Sequence, residues 1–159
     1  MKLSDKLKSE NIIFPLHSKD RSSAIQEMLN RLLELNYLTA TVKLYSFIDH
    51  KDKLINSAVG RGTAYHHSTS IEINEQLAVL GFSPEGIDYD SPDGQKVHFI
   101  LLILDTVDNP VLHRKLINRF QKFINTINIK SELLDCKSNT EVYNLITTWE
   151  NQYLSKESI

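Results

Sequence analysis

Apolar and polar positions follow two periods along this chain, and the change of period divides it. Over residues 21–36, Ala24, Ile25, Met28, Leu29, Leu32 and Leu33 recur at the three-and-four spacing of one helix face. Asp20 stands ahead of them as an N-cap. A second helix is predicted after Thr41, with Leu44, Phe47 and Ile48 on its inner face. Upstream, Ser4 is placed to cap a short opening helix carrying Leu3 and Leu7. Residues 11–16 read as an extended stretch that Pro15 confines to a sheet edge or an end.

From Asn56 the period shortens to that of strands. Short β-runs are predicted at 57–59, 63–65, 71–73 and 76–81, followed by an acidic loop over 83–95 punctuated by Pro84, Gly86, Pro92 and Gly94. Residues 97–104 form the most hydrophobic stretch, the pattern of a central strand covered on both faces. After a turn at 105–108, Asn109 and Pro110 read as an N-cap and a proline at the first helical position. That helix turns Leu112, Leu116, Ile117, Phe120, Phe123 and Ile124 inward. A short helix is predicted near 131–134. Ser138-Asn139-Thr140-Glu141 then has capping-box spacing before a last helix with Val142, Leu145, Ile146, Trp149 and Tyr153 on its stripe. Helices before and after a block of strands predict the α/β class: a single layered domain over 1–159, with a mixed β-sheet flanked by α-helices.

Composition narrows the class of function. A chain of 159 residues, 41% hydrophobic, fits one core. The single cysteine, Cys136, excludes an internal disulfide and fits a reducing compartment. Net charge is −2 with no basic stripe, which argues against nucleic acid or an anionic membrane as the main partner. The opening residues are too polar for a signal peptide, and the longest apolar run, 99–104, is too short to span a bilayer. A soluble, cytoplasmic protein is expected.

Candidate chemistry centres on Gly60-Arg61-Gly62-Thr63-Ala64-Tyr65-His66-His67-Ser68-Thr69, a flexible turn and a short β-run ending in two histidines. Neighbours on a strand face opposite ways, so one of His66 and His67 faces a cleft while the other packs or is solvated. That disfavours a shared metal, and no metal is expected. His17 and His50 are expected to be exposed, and His98 to be a hydrogen-bonded residue of the core strand. His113 falls near a helix start and shares its buried stripe with Ile117 and Phe120, a position bordering a cleft where anions are also favoured. A hydrolase built on Ser57, Ser68 or Ser70 is disfavoured, since none lies in a Gly-x-Ser-x-Gly elbow.

The order of glycines, histidine, Asp93-Gly94-Gln95, apolar strand and second histidine resembles the fructose/mannitol-type enzyme IIA domains of the bacterial phosphotransferase system, including their stand-alone nitrogen-regulatory members. The likeness runs from Leu3-Ser4-Asp5-Lys6-Leu7 to near Leu154. In that family a Gly-x-Gly-x-Ala-x-Pro-His segment presents a phosphoryl-accepting histidine, which the resemblance places at His67; the second active-site histidine falls at His113. The family's Arg-Glu pair aligns with Lys51-Asp52. His66 replaces the family's proline, Ser68 its glycine, and Lys51 its arginine, so that the charge is kept but the planar fork is lost.

The resemblance implies a phosphoryl carrier charged by a histidine-containing phosphocarrier protein, with a regulatory target such as a transporter or kinase. Lys51, Arg61, Gly60 and Gly62 would hold the phosphate, and no cofactor is implied. Its alternatives are an enzyme IIA-fold binding module without phosphotransfer and a sugar-uptake component.

Overall fold

The computed structural model describes residues 2–157. Its centre is a five-stranded mixed sheet with strand order β1-β4-β5-β3-β2. The strands are β1 (Ile12–Ile13), β2 (Ala58–Gly60), β3 (Thr63–Ser70), β4 (Leu77–Ile87) and β5 (Val97–Thr106). The helices are α1 (Leu3–Lys6), α2 (Arg21–Glu34), α3 (Val42–Leu54), α4 (His113–Ile124), α5 (Ile129–Asp135) and α6 (Asn139–Glu157). The α/β class expected from the pattern is the one observed. No helix among the described residues is long and apolar enough to cross a membrane.

β5 is the central strand its apolarity predicts, antiparallel to β4 and parallel to β3. Alternation along the strands sorts the core into two layers. Tyr65, Leu80, Phe82, Leu101 and Ile103 pack with Leu116, Phe120 and Phe123 of α4 and with Ile146 and Trp149 of α6. On the other face Ala64, Val79, Ile100, Leu102 and Leu104 meet the α2 stripe and Ile48 of α3. Pro15 follows the short edge strand β1, as expected.

Several expectations are corrected. β3 does not end at its histidines. It pairs with β5 from Thr63↔Phe99 to Ser70↔Thr106, so a strongly apolar neighbour carries a weak β sequence well past them. Residues 71–73 are not a strand but the link to β4, with Ile71 exposed. β4 instead runs on through Pro84 and Gly86, where the register breaks between Phe82 and Ile87 and the missing proline N–H costs no ladder bond. Leu33 and Phe47, both expected to be buried, are 36% and 55% exposed.

Helix ends also differ from the pattern. Residues 107–112 form turns, and α4 begins at His113 rather than after Asn109. Thr41 precedes α3 but makes no cap bond; its Oγ1 accepts from Gln26 Nε2 at 3.0 Å. Ser138 Oγ does accept the Glu141 N–H at 3.2 Å, while the Glu141 carboxylate accepts from the Lys137 amide. Ser4 lies inside α1, whose first amides are capped from the other end of the chain. The Glu150 carboxylate, 2% exposed on α6, accepts from Leu3 N at 2.5 Å and from Ser4 N at 3.1 Å.

Glu150→Ala strands those two amides beside a buried hole, so urea unfolding should show a loss of about 2 kcal/mol. Glu150→Gln retains an acceptor and should cost less. Equal stability of Glu150→Ala and wild type would contradict this capping role.

Candidate active site

The site grows out of an unfinished strand edge. β2 pairs with β3 only at Ala58↔Ala64 and Gly60↔Thr63, and beyond it the Tyr65 amide donates to Ser57 O at 3.1 Å. The last turn of α3 faces the remaining edge. There Lys51 Nζ donates to the carbonyl of His67 at 2.7 Å, satisfying a strand acceptor that β2 does not reach. The same ammonium lies 3.3 Å from His67 Nδ1 and 3.4 Å from Nε2. An in-plane position that close to both nitrogens would overlap the carbon between them, so the ammonium sits over the face of the ring. His113 stacks on the other face, with centroids 3.8 Å apart and planes 11° from parallel.

His113 is held by a carboxylate that the sequence reading did not single out. Asp105, fully buried near the end of β5, accepts from His113 N at 3.1 Å and from His113 Nδ1 at 2.6 Å. Its other oxygen accepts from Gln76 Nε2 at 2.9 Å. Asp105 thus supplies the α4 cap expected of Asn109 and fixes a proton on Nδ1, leaving Nε2 as the free corner of the ring. The available signal was a carboxylate closing an apolar strand just ahead of a helix.

Burial pushes the His67 imidazole down to about 4, and the nearby charges of Lys51, His113 and Arg114 act in the same direction against an opposing Asp105. Its ring is therefore neutral at neutral pH, with a lone pair available. Burial also draws the Lys51 ammonium below the ordinary lysine value, partly countered by Asp52. Arg114, exposed beside His113, is a further cation that sequence reasoning missed.

His66 faces the opposite side of the sheet, as the strand period requires, and it is the histidine that packs. Its Nε2 lies 3.0 Å from the Tyr89 hydroxyl and its Nδ1 3.8 Å from Asp52 Oδ1, while Asp52 pairs with Arg21. Burial, opposed by Asp52, lowers its pKa and keeps it neutral. Ser68 and Ser70 share its strand face, away from the His67–His113 pair. His17 and His50 are exposed, and half-buried His98 donates from Nδ1 to Ser83 O at 2.8 Å.

His67 opens on a cleft of about 510 Å³ lined in part by Ile48, Lys51, Tyr65, Ile117 and Gln121. Gly60, Arg61 and Gly62 are not brought to the imidazole pair, which corrects their expected place around its phosphate. All three have positive φ (89°, 58° and 78°) and turn the chain from β2 into β3. That turn lies at the far end of the strand, roughly 16 Å from His67 at the rise of a strand residue. It is tied down by Asp93 Oδ2, which accepts the Arg61 N–H at 2.8 Å, and by Lys130 Nζ, which donates to Arg61 O at 2.6 Å.

Residues 5–149 match the family model described as "Phosphoenolpyruvate-dependent sugar phosphotransferase system, EIIA 2". The chain is 24% identical over 146 residues to the PTS system fructose-specific EIIABC component of Bacillus subtilis (strain 168), covering 92% of this chain but only 23% of that protein. It thus spans about a quarter of that relative's length. It is 23% identical over 146 residues to the nitrogen regulatory protein of Bradyrhizobium diazoefficiens, covering 92% of this chain and 95% of that one. In fold it is similar to nitrogen regulatory protein IIA-Ntr from Neisseria meningitidis, at TM-score 0.79 and 17% identity over 91% of this chain and 98% of that one. It is similar also to IIA mannitol from Escherichia coli, at TM-score 0.73 and 19% identity over 89% and 99%.

Histidine NMR tests the electrostatics directly. His67 should stay neutral from pH 8 to pH 5 and titrate with a midpoint of about 4. In the unfolded chain the same ring takes up its proton at about pH 6.5. The unfolded state therefore binds the extra proton first, and stability should fall as pH drops from about 6.5 toward the native midpoint. A His67 midpoint between pH 6 and 7 would contradict this account of the site.

Proposed function

Because the chain belongs to the EIIA 2 family of the phosphoenolpyruvate-dependent sugar phosphotransferase system, we propose that it is a regulatory phosphoryl carrier charged on His67 by a small histidine-containing phosphocarrier protein. The observation that carries this reading is the neutral His67 ring, held between the Lys51 ammonium and the His113 imidazole at the mouth of a cleft. Both ring faces are occupied, so the in-plane lone pair is the route by which a phosphoryl group reaches the ring.

In the step proposed, a nitrogen of His67 attacks phosphorus on the donor's phosphohistidine. The new N–P bond forms as the donor's N–P bond breaks. The proton on the other His67 nitrogen passes to solvent, and the departing donor imidazole takes one up. Phosphoryl transfer asks for alignment and for charge stabilisation at the phosphoryl oxygens. Lys51 supplies a point charge beside the ring, and Arg114 a more distant one. With Nδ1–H committed to Asp105, His113 is held with Nε2 as the ring corner that meets the phosphoryl group. None of these steps calls for a metal.

The regulatory role is supported by the likeness to a nitrogen regulatory protein over 95% of its length, and the proposed location is the cytoplasm. The proposed downstream partner is a regulated transporter or kinase. A sugar-uptake role, taken from the fructose-specific relative, is the second reading.

Intact mass after incubation with phosphoenolpyruvate, enzyme I and the histidine carrier tests the acceptor. Wild type and His66→Ala should gain one acid-labile phosphoryl mass, and His67→Ala none. Asp105→Asn should be labelled about 100-fold more slowly, the scale of a lost proton-donating or orienting group. No label on folded wild type, beside an enzyme IIA control that is labelled, would overturn the reading in favour of a binding module without phosphotransfer.

A further inference from the structure

Behind the His67 strand lies a buried polar network that the proposed transfer does not use. His66, 2% exposed, has Nε2 against the Tyr89 hydroxyl and Nδ1 toward Asp52. Asp52 is 9% exposed and pairs with Arg21, and its Oδ1 accepts the Ser57 N–H at 3.0 Å where the chain leaves α3 for β2. Asn56 Nδ2 donates to Tyr89 O at 3.0 Å and to Asp90 O at 2.8 Å, tying the Tyr89 segment to the same corner. Four side chains thus join α2, the end of α3, β3 and the loop after β4.

Burying such groups is costly, and apolar residues of similar volume would pack there without the desolvation penalty. What the network does follows from what α3 lacks. Of its apolar residues only Ile48 is fully buried, while Phe47, Leu54 and the following Ile55 are 55%, 73% and 76% exposed. Core packing therefore does little to fix the last turn of this helix. Yet that turn carries Lys51, whose neighbour in sequence is Asp52, just as His67 is the neighbour of His66. The two adjacent pairs straddle the open edge of β3, one member of each on either face of the sheet.

We propose that His66, with Tyr89 and Asp52, is a positioning set that fixes the last turn of α3 against β3 and thereby holds the Lys51 ammonium over the His67 ring. The consequence for phosphoryl transfer rests on the reading of His67 as the acceptor; the placement of Lys51 does not. His66 touches no reacting atom. It acts through Asp52 and the backbone that Asp52 shares with Lys51.

Tyr89→Phe removes one hydroxyl and keeps the packing, so it is the primary test, with His67 titration by NMR as the readout. Its midpoint should rise by about one pH unit in Tyr89→Phe and in His66→Ala, because a displaced ammonium and a better-solvated ring both favour the imidazolium. His66→Gln, which retains an amide oxygen able to accept from the Tyr89 hydroxyl, should restore part of the shift. Lys51→Met should raise the midpoint on its own, and adding Tyr89→Phe to it should raise it little further, the signature of two residues acting through one contact. Glu150→Gln, whose carboxylate touches only the Leu3 and Ser4 amides and none of this network, should leave the midpoint where it is. An unmoved midpoint in Tyr89→Phe, or full additivity with Lys51→Met, would overturn the positioning role.

The second arm is the rate of phosphoryl uptake, expected to fall roughly tenfold in Tyr89→Phe as charge stabilisation at the phosphoryl group weakens. If wild type takes up no phosphoryl group while the titrations behave as stated, the functional reading fails and the positioning role stands.

Discussion

β3 is bonded along its whole length to β5 on one side and along only its first residues to β2 on the other. Everything chemical in the molecule depends on that asymmetry. Full pairing with β5 holds the backbone of His66 and His67 rigidly in a buried sheet, so their side chains are committed to opposite faces. Early departure of β2 leaves carbonyls along the other edge, and an unpaired strand edge must be covered by something. Here the cover is a helix end bearing a lysine, which brings a cation to the backbone and the ring of the same residue. The edge defect and the reactive site are one feature.

Fold was legible where burial and periodicity coincide. The α2 stripe, the central position of β5 and the final helix follow from spacing alone, because large apolar areas leave few ways to be covered. The errors cluster where a distant partner sets the local structure. β3 outruns its own propensity because β5 supplies its ladder, and Ser4 loses its cap role to a glutamate from α6. Asn109 loses its role to Asp105 in the same way, since a buried carboxylate at the end of β5 competes better for the helix amide. No window of neighbouring residues contains the β5 ladder or the Glu150 cap, whereas Asp105 stands only eight residues before the amide it caps.

The site was legible to a similar degree. His67, His113 and Lys51 meet in space, and the alternation rule correctly separated His66 from His67. Arg61 shows where motif reading overreaches: its glycine-flanked setting describes a tight hairpin turn, well explained by three left-handed residues without any ligand. Tyr89 was invisible because it acts by hydrogen-bonding a histidine on a different element, whereas Asp105 left only the signal of a carboxylate closing an apolar strand. The positive character around His67 is thus assembled from α3 and α4, with the buried Asp105 carboxylate as its counterweight.

The stack of His67 on His113, with the lysine above, also sets a direction of approach. Covered on both faces, the ring is open only along its own plane, on the side of the cleft that Ile117 and Gln121 help to line. Any group that meets a lone pair of this imidazole must therefore come to it edge-on, and the sheet, the helix end and the second ring together act as a guide rather than as a lid.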